Sequence, residues 1–297
     1  MKFWKRFGWF MLGLLPGVTV MFWQILVSVI GVTIYSLYRN ITAAGQGIDT
    51  SSEEFLNSIN EGFMTGTSYS IVMFVVYIGY LVIFGLWFWL MFCRKKQTGD
   101  WKQVLKPQRI GGIVGCGIAL QIAISMFLTA ILPLFPKIFE SYSGVMEALG
   151  SDSVLMIICV CLLAPIGEEL IFRGLTFRIM KKAVPWQAAL IVQAVLFGVY
   201  HLNLVQGIYA ALLGLLLGYL AHRYGSVVPG ILLHIAVNTS SYLVGYLLPE
   251  SLQEKTVLML VIGTVAFAAA AAFTYLVTKN VKPTEVNPTE PQSIPAN

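Results

Sequence analysis

Apolar runs dominate this chain, and short polar segments divide them into eight stretches of helix-spanning length. A bilayer core takes about 20 apolar residues in a helix, with a working range of roughly 17–25. On that measure the pattern predicts spans over 9–38, 69–93, 110–134, 153–180, 186–202, 205–223, 227–248 and 257–278. The intervening segments read as a polar loop over 39–68, a basic loop over 94–109 and a mixed segment over 136–152. In the last of these, Phe139, Val145, Met146 and Leu149 are spaced for a short interfacial helix. The tail 283–297 is rich in Pro, Thr, Glu and Asn and reads as disordered.

Composition agrees with the pattern. Of the 297 residues 57% are hydrophobic and 11% charged, against roughly 25% charged in soluble domains. The fold class expected is all-α, a polytopic transmembrane bundle of about eight spans. The net charge of +5 does not point to nucleic acid, because the basic residues sit at the ends of apolar runs. There they set orientation: Lys2, Lys5 and Arg6, the 94–109 loop, Arg178, Lys181 and Lys182, Arg223, and Lys279 and Lys282 all fall on one side under the positive-inside rule. Both termini are then cytoplasmic, and the acidic 39–68 loop faces outward. The first run is too long for a signal-peptide core and reads as an uncleaved span. Cys93, Cys116, Cys159 and Cys161 read as small buried hydrophobes.

Candidate chemistry lies in the polar groups at membrane depth. A charge there costs about 2.5–3.5 kcal/mol on insertion scales and more in simulations. Glu168, Glu169 and Arg173 fall inside the fourth span, His201 ends the fifth, and His234 and Asn238 lie on the seventh. Glu169 and Arg173 are four apart and share a helix face, with the acid first. Glu168 is turned about 100° away and lacks that partner. His234 and Asn238 also share a face, as do Phe197 and His201. At about 1.5 Å per residue, the three helices bring Glu168, His201, His234 and Asn238 to a common level. His222, beside Arg223 at a span end, reads as a solvated flank.

A carboxylate and an imidazole can orient and deprotonate water, and a His–Asn pair can donate to an oxyanion. No Ser or Cys is clearly placed as a nucleophile. Taken singly, each His or Asn also reads as interhelical hydrogen-bonding glue. The Glu169–Arg173 pair reads as structural support.

At these residues the sequence resembles the CPBP family of intramembrane proteases, the CAAX prenyl proteases and bacteriocin-processing enzymes also called the Abi family. Its Glu-Glu-x-x-x-Arg motif is matched by Glu168 to Arg173, its Phe-x-x-x-His motif by Phe197 to His201, and its His-x-x-x-Asn motif by His234 to Asn238. The resemblance covers about residues 123–248. It implies a membrane endopeptidase in which Glu168 and His201 activate water, His234 and Asn238 support the oxyanion, and Glu169 and Arg173 are supporting residues. The family's common classing with metallopeptidases admits a divalent metal such as zinc, with Glu168, His201 and His234 as the ligands. No His-Glu-x-x-His helix is present to fix one.

The expected organisation is two accessory spans over 1–109, a catalytic core over 110–250, a last span over 251–282 and the tail over 283–297. The expected partners are the lipid bilayer and a peptide or membrane-protein substrate, with no nucleic acid. The expected location is a plasma membrane, multi-pass and bacterial. Two other functions fit the same residues: a non-enzymatic bacteriocin-immunity or scaffold protein, and a proton-coupled transporter using Glu168.

Overall fold

The computed structural model describes residues 3–95, 97–99, 101–149, 153–247 and 255–281. The tail 283–297 expected to be disordered lies outside the described residues, as do Lys2, Lys96, Asp100 and Lys282. The described residues form ten helices and no strand: α1 (Phe3–Gly45), α2 (Glu53–Met64), α3 (Thr67–Cys93), α4 (Pro107–Ile131), α5 (Pro136–Leu149), α6 (Val154–Met180), α7 (Trp186–Tyr200), α8 (Leu204–Tyr224), α9 (Val228–Leu247) and α10 (Thr256–Thr278). The chain is an all-helical, multi-pass membrane bundle. Six of these helices are long and apolar enough to cross a membrane: α1, α3, α4, α6, α8 and α10. Apolar stretches in α7 and α9 are shorter.

Helix α6 is the central post. From Ala164 to Met180 only Ile166 and Leu170 are not buried, as expected of a helix apolar on all sides. It packs on α1, α3, α7 and α9. Its backbone widens into π turns at Cys159–Leu163 and Leu170–Phe177, either side of the paired carboxylates. The first has a covalent cause. Pro165 has no N–H and its ring crowds the carbonyl one turn back, so the regular ladder cannot pass through it.

Helix α4 lies between α9 and α10. A Cβ at Gly117 would stand 2.7 Å from the Leu233 carbonyl oxygen and 2.6 Å from Ala236 Cβ. The missing side chain therefore lets α4 approach the backbone of α9 beside His234. Helices α7 and α8 form a close hairpin. The basic chain segments gather at one end of the bundle. Arg178 donates to the carbonyls of Gln97 and Gly225, and Arg223 to those of Thr278 and Val281. These guanidiniums close helix ends whose last carbonyls lack partners.

Two local readings of the sequence need correction. The polar loop expected over 39–68 is not all loop. Helix α1 runs on to Gly45, and α2 forms where the Ser52 hydroxyl accepts from the Phe55 N–H. Phe55, Ile59 and Phe63 recur every four residues and bury one face of α2. The short helix expected in the 136–152 segment does form, as α5, and its Phe139, Val145 and Met146 line the central cavity. His222 is not a solvated flank. Its ring stacks on Trp186 at 4.2 Å and 15° and meets the Phe177 ring edge-on.

Filling the α4–α9 contact tests the packing. Gly117→Leu is expected to cost about 1–3 kcal/mol by overpacking, read as a lower thermal midpoint in detergent. Gly111→Leu on the same helix, which meets open space, should leave the midpoint unchanged.

Candidate active site

The two carboxylates of α6 diverge by one residue and are joined again by a histidine. Glu169 Oε1 accepts from Arg173 Nη1 at 2.8 Å and from His234 Nδ1 at 3.2 Å. His234 Nε2 lies 3.7 Å from Glu168 Oε2. The imidazole thus bridges both acids, and the rotation that separates them places one on either side of it. Glu169 and Arg173 are wholly buried, and Glu168 and His234 nearly so. The structure therefore gives Glu168 a neighbour that the sequence reading did not assign to it.

Arg173 satisfies one donor on Glu169 and leaves Nε and Nη2 without hydrogen-bond partners among the described residues. Its guanidinium instead faces the Phe197 ring, 4.2 Å from Cζ to centroid. A desolvated cation–π contact of this kind contributes about 2 kcal/mol or more. The same Phe197 ring meets His201 edge-on at 4.9 Å and His234 at 5.8 Å. One buried aromatic thus packs against the guanidinium and both histidines. Space for Glu169 comes from Gly230 on α9, where a Cβ would stand 2.5 Å from Oε2.

His201 ends α7. Its Nδ1 lies 2.7 Å from the Phe197 carbonyl oxygen. A carbonyl only accepts, so Nδ1 carries the hydrogen and Nε2 presents a lone pair. The next residue, Leu202, adopts a left-handed conformation at φ 52°, and Asn203 then caps α8 by accepting from the Gln206 N–H. This turn is the physical reason α7 stops short. His201 and Leu202 line a cavity there, the one setting where irregular backbone is tolerated at membrane depth.

Asn238 has a backbone task as well. In the first π turn the Ala164 N–H goes to the Cys159 carbonyl, and Pro165 has no N–H to give. The Val160 carbonyl between them loses both regular donors. Asn238 Nδ2 supplies one at 2.9 Å. One amide hydrogen of Asn238 is thereby occupied, while the residue still borders the cavity. The Ser241 hydroxyl donates to the Asn238 carbonyl at 2.7 Å and that of Ser240 to the Ala236 carbonyl. Both protons are held by the backbone of their own helix.

Glu168, His201, His234 and Asn238 all line one cavity of about 710 Å³. Glu169 and Arg173 stand behind it. The sequence reading passed over three groups near the site. Gln24, Tyr80 and Tyr200 form a hydrogen-bonded chain, with Gln24 and Tyr200 on the cavity wall. Gln24 is the lone carboxamide in the first apolar run, and that was the available signal.

A zinc site needs three or four ligands converging at about 2.0–2.2 Å. Among the described residues no group of three or more His, Cys, Asp or Glu is placed to hold a metal ion. Glu168 and His234 form a two-donor pair, and His234 Nδ1 is turned to Glu169. As arranged, Glu168, His201 and His234 do not fit a zinc ion.

A double-mutant cycle tests the ion pair. Removing one partner leaves a buried charge unpaired, which costs about 3–5 kcal/mol. Arg173→Met and Glu169→Gln should each lower the thermal midpoint in detergent, because each strands a buried charge. The double variant should lie closer to wild type than Arg173→Met does.

Residues 150–240 match the family described as type II CAAX prenyl endopeptidase, Rce1-like. The matched stretch holds all six polar residues of the site. No curated protein and no solved structure gives a significant match. Through this stretch, and in keeping with its multi-pass helical architecture, the chain is similar to the CAAX-type membrane peptidases.

Proposed function

We propose that the chain is an intramembrane endopeptidase that hydrolyses peptide bonds of membrane-associated or lipidated peptides and proteins, with water activated by Glu168 and His201. The observation that carries this reading is the convergence of Glu168, His201, His234 and Asn238 on one cavity.

Charge counting assigns the roles. Glu168 and Glu169 bring two negative charges, and Arg173 brings one positive. One further proton shared by Glu168 and His234 makes the buried group neutral, the state favoured at membrane depth. With that proton on His234, Glu168 is a free carboxylate and Nε2–H of His234 is a donor. Base and oxyanion donor are thus created together. Water held by the His201 Nε2 lone pair gives a proton to Glu168 as its oxygen attacks the scissile carbonyl carbon. The carbonyl oxygen takes the negative charge, supported by His234 Nε2–H and the remaining amide hydrogen of Asn238. Collapse breaks the C–N bond, and the proton on Glu168 passes to the leaving amine. The products are a new carboxyl end and a new amino end.

The test uses proteoliposomes and a quenched fluorogenic peptide ending in a farnesylated Cys and three further residues. Alongside it, membrane peptides are compared by mass spectrometry from host cells expressing each variant. Glu168→Gln, His201→Ala and His234→Ala should each cut turnover by about 10²–10⁴-fold, with the protein still inserted and folded. Normal cleavage by all three would overturn the reading. Loss of the variants from the membrane would instead favour an immunity or scaffold role, in which the cluster serves folding. Proton-coupled transport that survives loss of both histidines but not of Glu168 would favour a transporter.

Metal dependence has its own test. Because the three candidate ligands do not converge, activity is expected to survive 1,10-phenanthroline. Loss on chelation, restored by added zinc, would show that Glu168, His201 and His234 regroup around an ion.

A further inference from the structure

The wall of the same cavity carries a donor with nothing to donate to. Gln24 lies midway along α1, outside the stretch that matches the family. Its Oε1 accepts from the Tyr80 hydroxyl at 2.8 Å. The Tyr80 and Tyr200 hydroxyls are 2.9 Å apart. Tyr80 has a single proton and Gln24 Oε1 can only accept, so the direction of the chain is fixed: Tyr200 donates to Tyr80, and Tyr80 donates to Gln24. This turns the other end of the carboxamide, Nε2 with its two hydrogens, away from the tyrosines. Among the described residues no hydrogen bond is made by that nitrogen.

The helix that carries Gln24 is held in place here. Trp23 Nε1 donates to the Val76 carbonyl at 3.1 Å, and Gly79 leaves room for the indole, which a Cβ would meet at 2.3 Å. Otherwise α1 buries little: Gly13, Pro16, Val20 and Ala43. Gln24 borders both the main cavity and a smaller cleft of about 200 Å³ between α1 and the Tyr200–Leu202 turn. A donor fixed at that junction has a definite class of acceptor. An extended peptide at membrane depth has carbonyls without intrachain partners, each several kcal/mol too costly to leave bare.

We propose that Gln24 is a substrate-positioning residue that donates from Nε2 to a backbone carbonyl of the bound peptide, with Tyr80 and Tyr200 holding its amide in that orientation. This rests on the endopeptidase reading above. The contact holds the peptide in the cavity that Glu168 also lines and takes no part in the bond changes. One neutral hydrogen bond corresponds to about a three- to tenfold change in affinity.

The same proteoliposome assay decides it, on the farnesylated peptide or a sequence released in the membrane comparison. Gln24→Leu should raise KM by about three- to tenfold, with kcat changed much less. Tyr80→Phe keeps the amide but frees it to turn, and should raise KM in the same direction by a smaller factor. A lowered thermal midpoint with wild-type KM in Gln24→Leu would show a purely structural Gln24 and overturn the proposal. Should Gln24→Leu fail to insert, an unchanged KM in Tyr80→Phe overturns it instead. Absence of cleavage by wild type, or equal cleavage by Glu168→Gln, removes the endopeptidase reading and this inference with it. Cleavage that depends on Glu168 but not on Gln24 removes the inference alone.

Discussion

One carboxylate oxygen holds the core together. Glu169 Oε1 accepts from Arg173 on its own helix and from His234 on α9. A guanidinium at this depth would be unsupportable alone, and so would either acid. Each is supportable because the others are within reach. Arg173 neutralises Glu169, Phe197 covers the face of the guanidinium that finds no acceptor, and Gly230 leaves room for the second oxygen. The ion pair lies within α6, so it cannot by itself join helices. His234 does that, and in reaching Glu169 with Nδ1 it is obliged to present Nε2 toward Glu168. The approach of His234 to Glu168 thus follows from its bond to Glu169.

The second constraint is in the backbone. Pro165 and the π turn before it leave the Val160 carbonyl without its regular donors, and Asn238 fills the gap. Along α6 the order is Val160 then Glu169; on α9 their partners are Asn238 and His234, in reverse order. The two contacts therefore pin α6 and α9 antiparallel at two levels. Gly117 brings α4 against the same part of α9 from behind. The result is a helix held at both polar positions, so that His234 and Asn238 cannot slide relative to Glu168.

Much of this was legible in the sequence. The apolar runs located the long helices, because membrane depth forces the backbone into helices whatever the side chains do. Residues four apart gave the Glu169–Arg173 and Phe197–His201 contacts, because that spacing is local geometry. Contacts between helices were not legible. Nothing in the spacing of Glu168 and Glu169 says that one imidazole lies between them, since that depends on how α9 crosses α6. Helix α2 was missed because its acidic residues outweighed the four-residue recurrence of Phe55, Ile59 and Phe63. His222 was misread from its position beside Arg223, with no means of seeing that Trp186 folds back onto its ring.

The shortness of α7 ties these strands together. A helix that crossed completely would bury His201 in a continuous ladder, with lipid or packed side chains on every face. By ending at Tyr200, α7 leaves an open turn whose left-handed Leu202 aims the chain into α8. That turn costs backbone strain, of order 1–3 kcal/mol for a non-glycine residue in this region. What the strain yields is a cavity wall with an imidazole nitrogen on it, in the cavity that Glu168 also lines. The hydrolysis we propose needs water to reside where lipid would exclude it. A void walled by Glu168, His201, His234, Asn238 and Gln24 gives water hydrogen-bonding partners at that depth.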